Sequence, residues 1–473
     1  MENIKVDFVK KNGVIVCSSH LLKMIREKFS IKNPSYQMRR FVPRLYAITP
    51  VGAFQVGLWF EIESYIRTLN IPVKIELSQE FQNNYKPKLN IQKISNIDGF
   101  QYYDYQEDTL KEFLQHGRGI GILATGAGKA LIIGGLCKTL MDDKPDCKIL
   151  VVVPNVGLLN QLHFSFKNEF DIQQTSMWGD GKIPDLNQNV IIANSQILTS
   201  DVKSTLKIVE NYDYVIVDEV HTINNKKNKI SKVIHNINTP FKFGLTATLP
   251  DDIMAIWNVL GKIGPILYEK NSYELRKQQT ISDVEVKVLV CEHSPKPIFP
   301  KGQNPTDAYE AEFNYVINCN ERNNVIKKIT EKLVGNIIIV VDRRDYIDSL
   351  EKILKDSSKK LFIITGDTPT EDRMHIQHTM ENESGIVALV MSKCFSTGIS
   401  VKNIHYAIFC YMGKGGVKTV QTVGRTVRKH DSKDKAVIFD ISDNLEYSIS
   451  HLRKRLEIYK KQKIEYSLKK IKL

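Results

Sequence analysis

From about residue 96 to residue 445 the chain repeats one pattern: a short apolar run, then a stretch with helical spacing. A run of Val, Ile and Leu without alternation belongs to a strand buried on both faces. Parallel sheets covered by helices on each side provide that environment. Five such runs (120–124, 149–154, 190–193, 214–217 and 242–245) are followed by six more (286–290, 337–341, 361–364, 387–391, 407–410 and 436–440). The fold class expected is therefore α/β, with two doubly wound parallel-sheet domains in tandem. The sequence shows no internal repeat and no low-complexity tract.

The flanks differ from this core. Residues 1–95 read as a small basic α/β domain. Its strands are expected at 4–9 and 14–17 about a turn at Asn12-Gly13, with a helix over 21–29 capped by Ser19. A second helix over 58–69, a strand at 73–77 and a polar linker at 83–90 complete it. The first large domain is then expected over 96–275 and the second over 276–445. The final segment, 446–473, reads as a basic amphipathic helix, because Leu452, Leu456, Tyr459, Lys463 and Tyr466 recur at three- to four-residue steps.

Charge sharpens that division. The net charge of +13 is concentrated at the ends: ten Lys/Arg against three Asp/Glu in residues 1–45, and nine against two in 451–473. The region between is close to neutral. A basic end suits a polyanion, either nucleic acid or an acidic membrane surface. In the first segment Tyr36, Arg39, Arg40, Phe41 and Arg44 interleave rings with guanidinium groups, which fits a nucleic-acid surface as well as a solvated face. For the last segment the readings are packing against the preceding domain, contact with DNA, or a membrane surface.

Composition excludes several classes. With 42% hydrophobic and 25% charged residues the chain is neither wholly disordered nor fibrous. Its seven cysteines are scattered without C-x-x-C or zinc spacing, so free thiols in a reducing compartment are expected. No apolar run approaches the roughly 18 residues a membrane span needs, and the N-terminus lacks the apolar core of a secretion signal. A soluble, intracellular protein with no membrane partner is expected.

The chemistry begins after the first buried run. Ala124, Thr125, Gly126, Ala127, Gly128, Lys129 and Ala130 lie between a strand and a helical stretch, the context of a phosphate-binding loop. Glycines let successive N–H groups curl around one phosphate, the helix start adds its dipole, and Lys129 adds a point charge. The next position normally offers a hydroxyl to the nucleotide's magnesium. Here it is Ala130. A water in place of the hydroxyl, a substitution, and impaired hydrolysis are all compatible with that residue.

Eighty-nine residues after Lys129, the strand YVIV runs into Asp218, Glu219, Val220 and His221. Carboxylates leaving a buried parallel strand stand at the carboxyl edge of the sheet, where ligands bind. Asp218 would hold magnesium through water, and Glu219 would orient and deprotonate the attacking water. Thr246 and Thr248 follow another strand and can reach that carboxylate motif. In the second domain, Thr397 and Gly398 follow the run IVALVM. Gln421, Arg425 and Arg428 place two arginines on one helical face, suited to charge developing on a transferred phosphoryl group.

The set ATGAGKA, DEVH, TAT, STGIS and QTVGRTVR resembles the DExH-type helicases of superfamily 2. Pro154 to Gln161 (PNVGLLNQ) and residues 194–199 (NSQILT) are similar to that family's nucleic-acid motifs, and Tyr105-Gln106 to its adenine-reading glutamine. FSTGISVKNIH, QTVGRTVRKH, FKFGLTATL and the basic N-terminal unit resemble, more narrowly, the UvsW-type helicases of T-even phages; the core is more distantly similar to the XPB and RecG groups. The resemblance implies two RecA-like domains and ATP with Mg2+ as cofactors, Gln106 and Gly398 touching nucleotide. It also implies His221, Thr246 and Thr248 as coupling residues, Arg425 and Arg428 as arginine fingers beside Gln421, and Thr397 among the nucleic-acid contacts. The activity implied is ATP-driven remodelling of branched DNA and RNA–DNA hybrids, by a monomer in a host-cell cytoplasm. A nucleotide-gated DNA-binding protein without turnover and an RNA helicase are the alternatives.

Overall fold

The computed structural model describes residues 2–33, 42–224, 228–299, 307–392, 394–395, 401–410 and 435–473. The chain forms two compact units, Met1–Leu123 with Gly128–Lys270, and Asn271–Leu473 with the short segment Ala124–Ala127.

The first unit opens with the small basic module. β1 (Glu2–Val9) pairs antiparallel with β2 (Asn12–Val16). After the short strands β3 (Ser30–Lys32), β4 (Arg44–Tyr46) and β5 (Ala53–Phe54), β6 (Val73–Leu77) pairs parallel with β1. The sheet order is β5-β2-β1-β6, while β3 and β4 form a separate antiparallel ribbon. Ile4, Val6 and Ile15 point inward to Leu21, Ile25, Trp59 and Phe81.

Three local expectations shift. The turn is made by Lys10 and Lys11, at φ 48° and 66°, rather than by Asn12-Gly13, which begin β2. Gly13 is needed for room instead of for turning: a Cβ there would stand 2.4 Å from the Phe54 ring and 2.7 Å from that of Phe81. The first helix, Ser19–Lys28, is capped by Ser18, whose Oγ accepts from Leu21 N at 3.4 Å. The polar run expected as a linker begins inside a helix, Gln79–Tyr85, because Phe81 and Tyr85 lie four apart on one buried face.

The same unit contains a seven-stranded, all-parallel sheet. Its strands are β7 (Gly119–Leu123), β8 (Ile149–Val153), β9 (Thr175–Trp178), β10 (Val190–Asn194), β11 (Tyr214–Asp218), β12 (Lys242–Thr246) and β13 (Ile266–Lys270). Their order is β13-β7-β12-β11-β8-β10-β9. The five expected strands are the five inner ones. β9 and β13 are edges, half exposed, so neither carries the unbroken apolar run of an inner strand. The small module is joined to this sheet's helices at close range. A Cβ on Gly57 would lie 2.2 Å from Leu260 O, and the rings of Phe29 and Trp257 stand 5.1 Å apart.

The second unit is another seven-stranded parallel sheet, ordered β16-β17-β15-β18-β19-β14-β20. Its strands are β14 (Asp283–Glu292), β15 (Ile337–Val341), β16 (Lys360–Ile364), β17 (Ile386–Met391), β18 (Tyr406–Phe409), β19 (Lys435–Asp443) and β20 (Glu465–Lys472). All six expected runs are strands. The helix expected over 446–473 covers Glu446–Lys461 only; the chain then reverses at Lys463, φ 50°, and β20 pairs with β14. An open parallel edge on β14 is costly to leave unpaired, and β20 covers it. The terminal helix buries Leu452, Arg455 and Tyr459, and both polar groups reach Asp440: Arg455 Nη2 at 2.7 Å and the Tyr459 hydroxyl at 2.9 Å. That buried ion pair accounts for the packing role among its three readings.

The seven cysteines are free thiols. Among the described residues no helix is long and apolar enough to cross a membrane.

Candidate nucleotide-binding and hydrolytic site

The topology brings the ends of β7, β11 and β12 to one edge. β12 lies between the other two, with Asp218 opposite Leu245 and Thr246 opposite Ile122. The loop after β7 turns on Gly126 and Gly128, at φ 92° and 76°, values that L side chains rarely adopt. Gly128 caps the helix Lys129–Asp143, and within the loop Ala127 N donates to Ala124 O at 3.1 Å. Thr125 Oγ1 is buried and has no hydrogen-bond partner among the described residues. Ala130 is the second residue of the helix and offers no ligand atom.

Gln106 is buried on the helix Asp104–His116, and its Oε1 accepts from Tyr103 N at 3.0 Å. Its amide nitrogen approaches Gly128 so closely that a Cβ there would stand 2.5 Å away. The glutamine assigned to adenine is therefore held against the phosphate loop. The Tyr103 backbone orients it, accepting from Gln106 N at 2.9 Å in return, a contact that carries no side-chain signal in the sequence.

Glu219 sits in a left-handed conformation, φ 51°, immediately after β11. Among the described residues, its carboxylate meets Lys129, His221 and Thr246. Lys129 Nζ lies 3.7 Å from Oε1, while His221 Nδ1 at 3.2 Å and Thr246 Oγ1 at 3.3 Å share Oε2. His221 Nδ1 is also 2.9 Å from Thr246 Oγ1, which is 2.8 Å from Thr248 O. A threonine hydroxyl has one proton to give. It goes either to the Thr248 carbonyl or to Glu219, and the imidazole adjusts accordingly. The Thr248 hydroxyl itself has no partner among the described residues. Asp218 Oδ1 accepts from Glu219 N at 2.9 Å, which holds the Asp218 carboxylate against the backbone of its neighbour.

The sequence-assigned residues Lys129, Asp218, Glu219, His221, Thr246 and Gln106 thus converge. Pro154 follows β8 and Asn194 ends the adjacent β10, and Ser195 Oγ donates to Pro154 O at 3.0 Å, joining the two segments assigned to nucleic acid. Gln161 lies on the helix Val156–Phe164 that follows. Arg44 belongs to β4, where its Nε donates to Ser30 Oγ at 3.0 Å. Nearby, the Arg26 guanidinium stands 4.7 Å over the Tyr46 ring and Lys28 Nζ 5.5 Å over that of Tyr65. Arg39, Arg40, Thr397, Gly398, Gln421, Arg425 and Arg428 lie outside the described residues.

Among the described residues no three Asp, Glu, His or Cys side chains form an all-protein metal cage. Magnesium characteristically takes one or two carboxylates, waters and substrate phosphates. Asp218, at the end of β11, fits that donor set.

Two family models match: "Type III restriction enzyme, res subunit" over residues 99–251 and "Helicase conserved C-terminal domain" over residues 321–430. The chain is 25% identical to the ATP-dependent DNA helicase uvsW of Enterobacteria phage T4, with all of both chains covered. It is 24% identical to the DNA 3'-5' translocase XPB2 of Sulfurisphaera tokodaii, covering 76% of this chain and 85% of that one. Among solved structures, the ATP-dependent Type ISP restriction-modification enzyme LlaBIII bound to DNA superposes with TM-score 0.59 at 14% identity, over 87% of this chain and 34% of that one.

Proposed function

This chain belongs to the superfamily 2 helicases, and from that premise we propose that it is an ATP-dependent DNA helicase that remodels branched DNA. Junction migration, fork regression and unwinding of RNA–DNA hybrids are the reactions we assign to it. The observation that carries the chemistry is the position of Glu219, held by Lys129, His221 and Thr246 where three strand ends meet.

ATP would lie with its phosphates on residues 125–130 and its adenine at Gln106. Magnesium, held by Asp218 through water, would neutralise phosphate charge. Lys129 would leave its ion pair with Glu219 for the phosphates, freeing that carboxylate to take a proton from water. Arg425 and Arg428 would meet the charge developing on the phosphoryl group, with Gln421 beside them. The relay from Glu219 through His221 and Thr246 to Thr248 would report the nucleotide state to the rest of the motor. Phosphate-directed contacts from the cation–ring face around Arg26, Lys28 and Arg44 would hold a DNA arm without reading sequence.

Ala130 supports a second reading, a nucleotide-gated DNA-binding protein without turnover. One assay separates the two: ATPase and unwinding on forks, four-way junctions and RNA–DNA hybrids, with RNA as competitor. The helicase reading expects DNA-stimulated hydrolysis that falls about 10²-fold or more in Glu219→Gln, the range lost with a general base. Hydrolysis seen only after Ala130→Ser would establish the binding protein instead. Stimulation by RNA in preference to DNA would make the substrate RNA.

A further inference from the structure

The first unit's seven-stranded sheet has a second polar locus, at its amino edge, opposite the phosphate loop. A cavity of about 40 Å3 there is lined by Lys11, Arg118, Lys242 and Lys262, with Phe8, Val56 and His235, and by no carboxylate. That volume exceeds the roughly 10–15 Å3 needed to hold one water. Arg118 directly precedes β7 and Lys242 begins β12; Lys11 comes from the β1–β2 turn of the small module.

Three helix C-termini point here, and the cations satisfy their carbonyls. Arg118 donates through Nε to Ile263 O at 2.7 Å, through Nη2 to Lys262 O at 3.0 Å and through Nη1 to Asn84 O at 2.6 Å. Lys242 Nζ donates to Ile234 O at 2.7 Å and Ile237 O at 3.1 Å, and Lys11 Nζ to Asn236 O at 2.5 Å. These bonds leave donors over: two on Arg118, two on Lys11 and one on Lys242. They also leave charge over. Three helix ends offer about −0.5 each, and Glu210 acts on Lys11, while four cationic side chains, Lys11, Arg118, Lys242 and Lys262, line the cavity. Burial and the neighbouring cations push the Lys242 ammonium well below the usual lysine range, and burial lowers Lys11 as well.

We propose that this cavity binds a phosphate-type oxyanion through the spare N–H groups of Lys11, Arg118 and Lys242. A doubly charged oxyanion would offset the surplus, and a multi-oxygen acceptor matches donors arriving from three directions. It would also tie the small module to the sheet, since Lys11 belongs to one and Lys242 to the other. The ligand is either free phosphate or a phosphodiester of bound nucleic acid.

The test uses the full chain with its nucleotide site filled by excess ADP and magnesium. Inorganic phosphate is titrated against chloride at constant ionic strength, and the thermal midpoint is followed. Wild type should show a saturable, phosphate-specific rise, with half-saturation shifted at least fivefold in Lys242→Met and in Lys11→Met. Lys11 is only half-buried, so its variant decides the matter if Lys242→Met does not fold. Exposed Lys88→Met should behave as wild type. No phosphate-specific rise in wild type, or an unchanged rise in Lys11→Met, would overturn the site. Duplex-DNA affinity identifies the source: a parallel loss in Lys11→Met, absent in Lys88→Met, marks a phosphodiester, and unchanged affinity marks the free anion.

Discussion

Thr246 carries more of the site than a buried threonine at the end of a strand suggests. Its side chain is wholly inaccessible, yet its one hydroxyl proton is contested between a backbone carbonyl at 2.8 Å and the Glu219 carboxylate at 3.3 Å. Thr246→Val keeps the shape and β-branching while removing that proton and the acceptor for His221. The expected result is a roughly tenfold lower kcat, about 1.4 kcal/mol of barrier, with DNA stimulation lost. ATPase measured with and without DNA checks both; unchanged stimulation would show that the relay ends at Glu219. TAT and DEVH were each legible as motifs. Their contact was expected and is present across 27 residues of chain; that the same Thr246 hydroxyl is shared with the Thr248 carbonyl was not legible, because it depends on how the chain turns after β12.

At the scale of elements, the junction between the small module and the sheet is made by glycine as much as by side chains. Gly57 faces Leu260 O at 2.2 Å, Gly264 N at 2.9 Å and Gly261 O at 3.0 Å, measured from where a Cβ would stand. Backbone cannot move aside as a flexible side chain can. Gly57→Ala should therefore force the Val56–Leu58 turn away from the helix Ile253–Ile263, at about 1–3 kcal/mol. A lowered thermal midpoint and faster proteolysis within residues 86–103 are the expected readouts; an unaffected cleavage rate would mean that the module is not held there. Inner strands such as Ile149–Val153 were readable from a few adjacent residues. β9, β13 and β20 were not, since an edge strand is defined by the neighbour it covers.

For the whole molecule, the charge distribution makes a prediction about salt. The module's described cations Arg26, Lys28, Lys32 and Arg44 lie on or beside the β3–β4 ribbon. Replacing the four with glutamine should weaken DNA binding and flatten its salt dependence, each lost phosphate contact removing up to about 0.9 from the slope. Fluorescence anisotropy over a salt series measures this. An unchanged slope would place the DNA grip elsewhere. Because Met1–Leu123 and Gly128–Lys270 form one compact unit, whatever this module holds is carried by the same body as the phosphate loop's helix.

The near-neutral core, the two successive parallel sheets and the order of the motifs along them followed from sequence alone. Each depends on residues within one strand or one loop, and an apolar run or a Gly-Lys turn is complete in itself. Tertiary structure decided the rest. It turned the last third of the expected terminal helix into a strand because β14 had an open edge, and it ran the helix Gln79–Tyr85 into the start of a polar run that composition gave to a linker. It also collected Lys11, Arg118 and Lys242 around one cavity. Those three cations are more than a hundred residues apart in sequence. Only the crossovers of a doubly wound sheet bring their positions, and three helix ends, to the same edge.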